Sequence, residues 1–140
     1  MMNTAQLCSE MVKIKTENPP GDTRDCAEFA GAFLESIGIP VSYTTGPAGQ
    51  TNVYSKNQSG ALLLLGHIDV VPAIADGWEY PPYSGEIDET YVHGRGATDM
   101  KGGCAALLSA LAETQDRGVE APVSVALVCD EEGGGKWGTR

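Results

Sequence analysis

The order of apolar and polar positions along the chain predicts strands that alternate with helices. The strongest signal is residues 61–71, Ala-Leu-Leu-Leu-Leu-Gly-His-Ile-Asp-Val-Val, in which four consecutive leucines leave no polar face. Such a run is typical of a short strand that is covered on both faces, the usual state of a central strand in a parallel sheet. Residues 122–129 predict a second, mostly apolar strand. We therefore expect the leucine strand to lie at the centre of a sheet.

Apolar residues spaced three and four positions apart predict three helices. The first covers residues 4–15, the second runs from residue 22 or 23 to a left-handed cap at Gly38, and the third covers residues 100–117. Gly102 and Gly103 lie in the first turn of the third helix, where glycine weakens a helix. We therefore expect another backbone or a ligand to approach too closely there for side chains.

Alternating positions predict further strands at residues 40–45 and 51–56, and the sequence predicts a turn at residues 57–60 that leads into the leucine strand. Residues 72–85 are irregular and rich in aromatic residues and proline; packing onto the body of the protein is a commoner use of such a loop than lining a substrate cleft. A small hairpin follows at residues 86–92. Strand and helix alternate along the second half, which predicts an α/β fold with a largely parallel sheet.

The balance of charge excludes some classes of partner. Nine Lys and Arg residues against nineteen Asp and Glu residues give a formal charge of -10. Nucleic acids and anionic membranes both require a basic surface, so we expect neither as a partner. No apolar run approaches the roughly 18 residues of a membrane span.

The chain has four cysteines, at Cys8, Cys26, Cys104 and Cys129. No two of them are spaced as Cys-x-x-Cys, and we see no secretory leader after Met1. We interpret the cysteines as small buried apolar residues. This pattern predicts a protein of the reducing cytoplasm.

Acidic residues and one histidine follow the ends of the two apolar strands and precede the third helix. His67 and Asp69 follow the leucine run, Asp99 precedes the helix, and Glu131 and Glu132 follow the second apolar strand. Open α/β sheets bind ligands beyond the carboxyl ends of their strands, so we expect these side chains to meet there. Each residue alone is explained as well by a structural hydrogen bond, a helix cap or a solvated turn. Their combination indicates a metal-dependent site.

The spacing of these residues suggests separate roles. His67 and Asp69 are two residues apart and point to the same side in an extended chain, so Asp69 can fix the tautomer and orientation of the imidazole while His67 binds a metal. Asp99 lies in a glycine-rich loop and has two oxygens, which suits a carboxylate that bridges two cations. Glu131 and Glu132 would point to opposite sides if extended, so one is expected to bind metal and the other to move protons.

Five blocks of sequence resemble the metal-dependent amidohydrolase and exopeptidase family that contains acetylornithine deacetylase, succinyl-diaminopimelate desuccinylase, aminoacylase-1 and carboxypeptidase G. In chain order they are Asn18-Pro19-Pro20-Gly21, Gly66-His67-Ile68-Asp69-Val70-Val71-Pro72, Gly77-Trp78 with Pro81-Pro82, Gly94-Arg95-Gly96-Ala97-Thr98-Asp99-Met100-Lys101-Gly102-Gly103, and Asp130-Glu131-Glu132-Gly133. The resemblance spans the chain from near its start to its end.

The resemblance implies a role for each site residue. His67 binds one metal ion, Asp99 bridges two, Glu132 binds the other, Glu131 is the general base and Asp69 orients His67. The two divalent ions would be zinc, with cobalt or manganese able to occupy the same site. The substrate would be a small N-acyl amino acid or a short peptide, cleaved at its amide bond by a metal-activated water. In such enzymes the peptide bond that follows the bridging aspartate is often cis. In this chain that bond joins Asp99 and Met100.

Members of this family are much longer than 140 residues. The resemblance therefore implies that residues 1–140 are the N-terminal portion of a single catalytic domain, a three-layer zinc-exopeptidase-like α/β domain truncated at its C-terminal side. The rest of the catalytic domain, with a further acidic ligand and a late histidine, and an inserted lid and dimerisation domain would be absent. We expect the whole protein to be a homodimer through that inserted domain, and the 140-residue chain alone to have little or no activity.

Two other interpretations compete with the hydrolase. A non-catalytic remnant would fold or associate without a complete dinuclear metal site. A nucleotide-binding protein would use the glycine-rich loops, but Gly94-Arg95-Gly96 lacks the third glycine of the dinucleotide motif, and no Ser or Thr follows Lys136 as in a phosphate-binding loop. The hydrolase accounts for more of the chain.

Overall fold

Three helices and four strands make up the fold in the computed structural model, which describes residues 2–56, 62–74, 76–119 and 122–140. In chain order they are α1 (Thr4–Lys13), α2 (Arg24–Ser36), β1 (Val41–Thr45), β2 (Thr51–Ser55), β3 (Leu62–His67), α3 (Lys101–Asp116) and β4 (Val123–Val128). The predicted helices and strands are confirmed, with ends that differ by one or two residues. The predicted turn at residues 57–60 lies outside the described residues.

Local sequence explains where these helices begin and end. Asn3 and Gln6 form a reciprocal capping box at the start of α1, each side chain bonding the other residue's backbone N–H at 2.9 Å. Gly38 follows α2 with φ of 84°, the left-handed cap that the sequence predicts. Gly118 ends α3 in the same way, with φ of 64°. None of the helices in the described part of the chain is long and apolar enough to span a membrane.

The four strands form one mixed sheet in the order β1-β2-β4-β3. β1 pairs with β2 and β2 pairs with β4 in antiparallel fashion, and only β3 and β4 run parallel. The predicted α/β class is confirmed, but the expectation of a largely parallel sheet is wrong for these residues. The parallel pair is the part that matters for the site, because it aligns the carboxyl ends of two strands at one edge of the sheet.

Among the described residues the leucine run forms an edge strand and not the central strand that the sequence predicts. β4 separates β3 from β2, and among the described residues β3 has no partner on its other side. Leu64 packs against the helices, whereas Leu63 and Leu65 are 54% and 48% exposed on the opposite face. The helices cover only one face of the sheet. The leucine strand is therefore buried on that face alone, and not on both faces as the sequence predicts.

A single core joins the helices to the covered face of the sheet. Its fully buried members include Leu7 and Met11 of α1, Leu34 of α2, Leu108 of α3 and Leu127 of β4. The four cysteines are free and buried, as predicted. Alternate strand residues, among them Tyr54, Leu63, Leu65, Ala126 and Val128, line a groove on the opposite face.

Lys101, the first residue of α3, is fully buried inside this core. Its Nζ donates hydrogen bonds to the backbone oxygens of Met11 at 2.9 Å and Ile14 at 2.7 Å, at the end of α1. Burial lowers the pKa of Lys101, because removing the ammonium from water disfavours its charge. One side chain therefore bonds two carbonyls at the end of α1, and the oxygen of Met11 also accepts from the backbone N–H of Ile14 at 3.3 Å.

The two glycines at the start of α3 differ in their surroundings. A Cβ atom on Gly102 would clash with the backbone oxygen of Ala97, whereas one on Gly103 would meet only the flexible end of Met100 at 3.2 Å. The predicted close approach of another backbone is therefore confirmed at Gly102. Gly103 has no such neighbour.

The long loop after β3 packs onto the body of the protein, as predicted. Tyr83 donates a hydrogen bond of 2.6 Å to Glu17, and Ser9 of α1 donates one of 2.5 Å to the backbone oxygen of Gly85. The predicted hairpin follows, with an antiparallel bridge between Ile87 and Val92. It leads the chain back towards the glycine-rich loop that ends at Asp99.

Candidate metal centre

The candidate site lies where β3 and β4 end side by side. His67 is the last residue of β3 and pairs in register with Val128, the last residue of β4. Parallel neighbours end at the same edge of a sheet, so the residues that follow them come together. This is the physical reason that residues more than 60 positions apart in sequence share one site.

His67 contacts carboxylates or carbonyls through both ring nitrogens. Its Nε2 lies 2.9 Å from Oδ1 of Asp99 and 3.8 Å from Oε2 of Glu131. Its Nδ1 lies 3.0 Å from the backbone oxygen of Asp69 and 3.5 Å from Oδ1 of the same residue. Asp69 therefore fixes the ring from behind, chiefly through its backbone carbonyl, while Nε2 points towards the exposed acids.

The contacts of His67 change its protonation. Burial by itself lowers the pKa of the imidazole, but contacts with Asp69 and Asp99 outweigh it and raise the pKa to about 9. A ring nitrogen binds a metal only when deprotonated, so a cation at this position would have to displace a proton from His67.

Asp69 is fully buried and accepts hydrogen bonds from three groups besides His67. The backbone N–H of Glu131 donates to Oδ1 at 3.1 Å, and the backbone N–H of Glu132 donates to Oδ2 at 3.0 Å. The side-chain amide of Asn18 also donates to Oδ2 at 3.0 Å. Burial alone would raise the pKa of Asp69, but the contact with His67, followed by the hydrogen bonds from Asn18, Glu132 and Glu131, lowers it and favours the ionised carboxylate.

Glu131 and Glu132 lie on a turn, and both side chains reach the same place. One ligand atom each from His67, Glu131 and Glu132 all lie within 4.8 Å of one another. The expectation that the two glutamates would point to opposite sides assumed an extended chain, and the turn removes that alternation. Burial, followed by the negative charges of Asp99 and Glu131, raises the pKa of Glu132.

The five residues predicted for the site all lie at this edge of the sheet. His67, Glu131 and Glu132 form the mutual cluster, Asp99 joins it through His67, and Asp69 lies behind the ring. The Asp99–Met100 peptide is cis, as the resemblance implies. One imidazole nitrogen and several carboxylate oxygens are a donor set that suits zinc and similar divalent ions.

Two further polar residues, Asn18 and Asp130, belong to the site, although the sequence did not assign a role to either. Asn18 donates to Asp69 and also to Oδ1 of Asp130, at 3.0 Å each. Asp130 is buried and has φ of 61°, which is uncommon for a residue other than glycine. The only sequence signal for Asn18 was its membership of the block Asn18-Pro19-Pro20-Gly21, which carries no chemistry by itself.

Comparisons with known proteins agree with this fold and show the family. Residues 63–140 match the model of the family described as peptidase family M20/M25/M40. A succinyl-diaminopimelate desuccinylase from Sulfurimonas denitrificans is 36% identical over 144 residues, an alignment that covers 99% of this chain and 36% of that protein. Another from Wolinella succinogenes is 49% identical over 77 residues, covering 55% of this chain and 20% of that protein.

Solved structures share the fold. A M20 family metallo-carboxypeptidase from Sulfolobus solfataricus superimposes with a TM-score of 0.74 at 27% identity, covering 91% of this chain and 30% of that one. Human carnosine dipeptidase 1 superimposes with a TM-score of 0.76 at 25% identity, covering 96% of this chain and 33% of that one.

The mixed sheet with its cluster of imidazole and carboxylates at one edge gives this chain the α/β fold of the zinc-exopeptidase class. More particularly, the chain belongs to peptidase family M20/M25/M40. It spans 20% to 36% of the length of the two desuccinylases that it matches. Membership of this family implies the use of divalent metal ions, and the donor set of the site fits that requirement.

Proposed function

We propose that this chain is the N-terminal part of the catalytic domain of a metal-dependent hydrolase. The enzyme would cleave an amide bond of an N-acyl amino acid or a short peptide. The observation that carries the proposal is the cluster of His67, Glu131 and Glu132, with Asp99 at 2.9 Å from His67. Membership of a peptidase family supports the same class of reaction.

Three side chains would hold two divalent ions, with zinc as the first expectation and cobalt or manganese as compatible alternatives. His67 would bind one ion, Glu132 the other, and Asp99 both. When bound, such ions supply Lewis acidity, which polarises an amide carbonyl and lowers the pKa of water. Asp99 has 74% of its side chain exposed, so it is accessible from solvent.

Glu131 is the general base of the proposed reaction. Its side chain is 53% exposed and approaches His67, so it can reach a water molecule beside the cluster. It takes the proton from the attacking water and returns it to the leaving nitrogen, which makes the amine a better leaving group. Asp69 does not meet the substrate; it holds the imidazole so that Nε2 faces the cluster.

The names of the relatives support a substrate class. Two of them are succinyl-diaminopimelate desuccinylases, and the structural neighbours include a metallo-carboxypeptidase and a dipeptidase. An N-succinyl amino acid is therefore the first substrate to test, followed by other N-acyl amino acids and dipeptides. We expect the whole protein to be a cytoplasmic homodimer. The four buried free thiols support the cytoplasmic location, and they do not bear on the homodimer.

Calorimetric titration of the 140-residue chain with zinc tests the site directly. The wild-type chain should bind zinc, and Asp99→Ala should abolish binding at one of the two sites or weaken it at both. Asp116→Ala, which removes an exposed carboxylate at the end of α3, is the matched control and should bind as the wild type does. A wild-type chain that binds no zinc would contradict this expectation, and a full-length protein containing this sequence that also binds none would support the non-catalytic remnant instead.

Turnover separates the general base from the ligands. In a full-length protein that contains this sequence, Glu131→Gln should retain metal and lose hydrolysis of the N-succinyl substrate. The 140-residue chain alone should show little or no hydrolysis, because it offers only His67, Asp99 and Glu132 as proposed ligands for two ions. Turnover by this chain comparable to that of a full-length relative would contradict the second expectation.

A further inference from the structure

Asn18 joins two buried carboxylates that belong to different strand ends. Its Nδ2 donates one hydrogen bond of 3.0 Å to Oδ2 of Asp69, in the segment after β3, and another of 3.0 Å to Oδ1 of Asp130, in the segment after β4. A side-chain amide has two N–H groups, so a single nitrogen satisfies both acceptors. The amide thus links the two segments that carry His67 and the glutamates.

The backbone around Asn18 is itself attached to the segment after β3. The N–H of Asn18 donates to the backbone oxygen of Val70 at 2.8 Å, and Val70 donates back to Thr16 at 3.0 Å. The hydroxyl of Thr16 donates to the backbone oxygen of Ile68 at 2.6 Å. These bonds fix where the amide lies before its side chain makes any contact.

Two glycines, Gly21 and Gly133, lie against the amide of Asn18. A Cβ atom on Gly21 would lie 3.1 Å from Cγ of Asn18, and a Cβ atom on Gly133 would lie 2.7 Å from its Nδ2. Gly133 directly follows Glu132, so the turn that carries both glutamates runs against the amide. A side chain at either glycine would push the amide away from its two acceptors.

We propose that Asn18 is a positioning residue for the metal centre and acts through Asp69. By holding Oδ2 in place, it keeps both oxygens of Asp69 aligned with the backbone N–H groups of Glu131 and Glu132. The turn is then fixed with both glutamate side chains directed at His67. This inference rests on the metal site proposed above, but the ordering of the turn can be measured without any metal.

The alternative is that Asn18 stabilises the fold in general, by separating two buried acids. A merely structural role would lower stability without a specific effect on the turn. Asn52 provides the matched control, because it also bridges segments at this end of the sheet. Its side chain donates to Thr44 at 2.9 Å and to the backbone oxygen of Trp137 at 2.8 Å, and accepts from the N–H of Cys129.

The experiment compares Asn18→Asp and Asn18→Ala with Asn52→Ala in the 140-residue chain. Asn18→Asp keeps the shape of the side chain and replaces both donors with an acceptor; Asn18→Ala is the second variant in case the added charge prevents folding. The first measurement is the amide proton resonances of Glu131 and Glu132 in metal-free protein. The second is zinc affinity by calorimetry.

We expect the two amide resonances to move in both Asn18 variants and to stay near their wild-type positions in Asn52→Ala. Zinc affinity should fall by roughly 10- to 100-fold in the Asn18 variants, the usual effect of removing a group that supports metal ligands. Unchanged amide resonances, or a loss of zinc affinity no larger than in Asn52→Ala, would overturn the proposal.

The metal-free measurement keeps the two proposals distinguishable. If a full-length protein that contains this sequence binds no zinc, the proposed metal function fails. Shifted amide resonances in that case would support Asn18 as the residue that orders the turn, and unshifted ones would overturn it. If the wild type binds zinc and the Asn18 variants bind it equally well, the metal site stands and the role of Asn18 is rejected.

Discussion

The carboxylate of Asp69 accepts a hydrogen bond from the backbone N–H of Glu132 at 3.0 Å. The two residues follow different strands, so the side chain of one shapes the backbone that carries the other. Because the second oxygen of Asp69 accepts from Glu131 at 3.1 Å, a single carboxylate holds the backbone N–H groups of both glutamates. Asp69, which is expected to orient His67, therefore also positions the backbone of Glu131 and Glu132.

Asp69→Asn should destabilise the chain while preserving the shape of the side chain. The amide has one acceptor oxygen in place of two, so at least one backbone N–H or the amide of Asn18 would lose its partner. Leaving a buried donor unsatisfied costs about 1–3 kcal/mol, which should appear in urea unfolding at neutral pH. Asp116→Asn, at an exposed position, should leave the free energy of unfolding unchanged, and an equal effect of the two substitutions would refute this assignment.

The neighbouring glycines of α3 should respond to alanine in opposite directions. Gly102→Ala should lower stability by about 1–3 kcal/mol, because the methyl group would meet the backbone oxygen of Ala97. Gly103→Ala should raise it by about 0.5–1 kcal/mol, because only a flexible methionine lies nearby and alanine favours the helix. Thermal or urea unfolding of the two variants measures these opposite changes in stability. If both substitutions stabilise the chain, the loop at Ala97 moves to accommodate a methyl group, and the prediction for Gly102 is wrong.

The hairpin at residues 86–92 should lose stability in acid. The hydrogen bond from His93 and the backbone N–H groups of Thr90 and Tyr91 lower the pKa of Asp88 from 3.8 to about 2. Because the folded-state pKa lies below the unfolded value, the ionised carboxylate stabilises the hairpin above about pH 4, and this contribution is lost as the pH falls through about 2.

Carbon NMR of the Asp88 carboxyl group measures this midpoint directly. His93→Ala should move it up towards 3.8, whereas Glu89→Ala, which removes an acid from the same turn, should leave it low. A midpoint that His93→Ala does not change would mean that the backbone donors alone lower the pKa of Asp88.

The exposed edge strand should make the chain associate. Leu63 and Leu65 present adjacent apolar side chains on a strand that has no further partner among the described residues. Exposed edges of this kind promote pairing between molecules, and lysine opposes it. The average mass in sedimentation should rise with concentration for the wild type and less for the Leu63→Lys/Leu65→Lys double variant. Ile74→Lys, at an exposed loop position, is the control, and association that persists in the double variant would contradict this prediction.

The sequence predicted the helices because their apolar spacing is a local property that packing did not override. It also predicted which residues meet at the site, because residues that follow parallel neighbouring strands must share an edge. The order of the strands was not predictable in the same way. β4 lies between β2 and β3 through pairings of residues far apart in sequence, and nothing in the leucine run itself distinguishes an edge strand from a central one.

The details of the site depended on geometry that short motifs do not contain. The glutamates converge because residues 131–134 form a turn, whereas an extended chain would have separated them. Asn18 could not be assigned a role, because its two acceptors are 51 and 112 positions away along the chain. The close approach at Gly102 was predictable, since glycine in the first turn of a helix is unfavourable unless space is short.

The enclosed ammonium of Lys101 sets a limit on how far the protein can be shortened from its start. A version that began after Ile14 would lack both carbonyl acceptors, yet the lysine would still enter the core at the beginning of α3. A buried charge without a partner costs several kcal/mol, a large fraction of the stability of a small domain. The fold therefore depends on α1. Deletion variants that lack this helix should be insoluble and should not form a smaller folded unit.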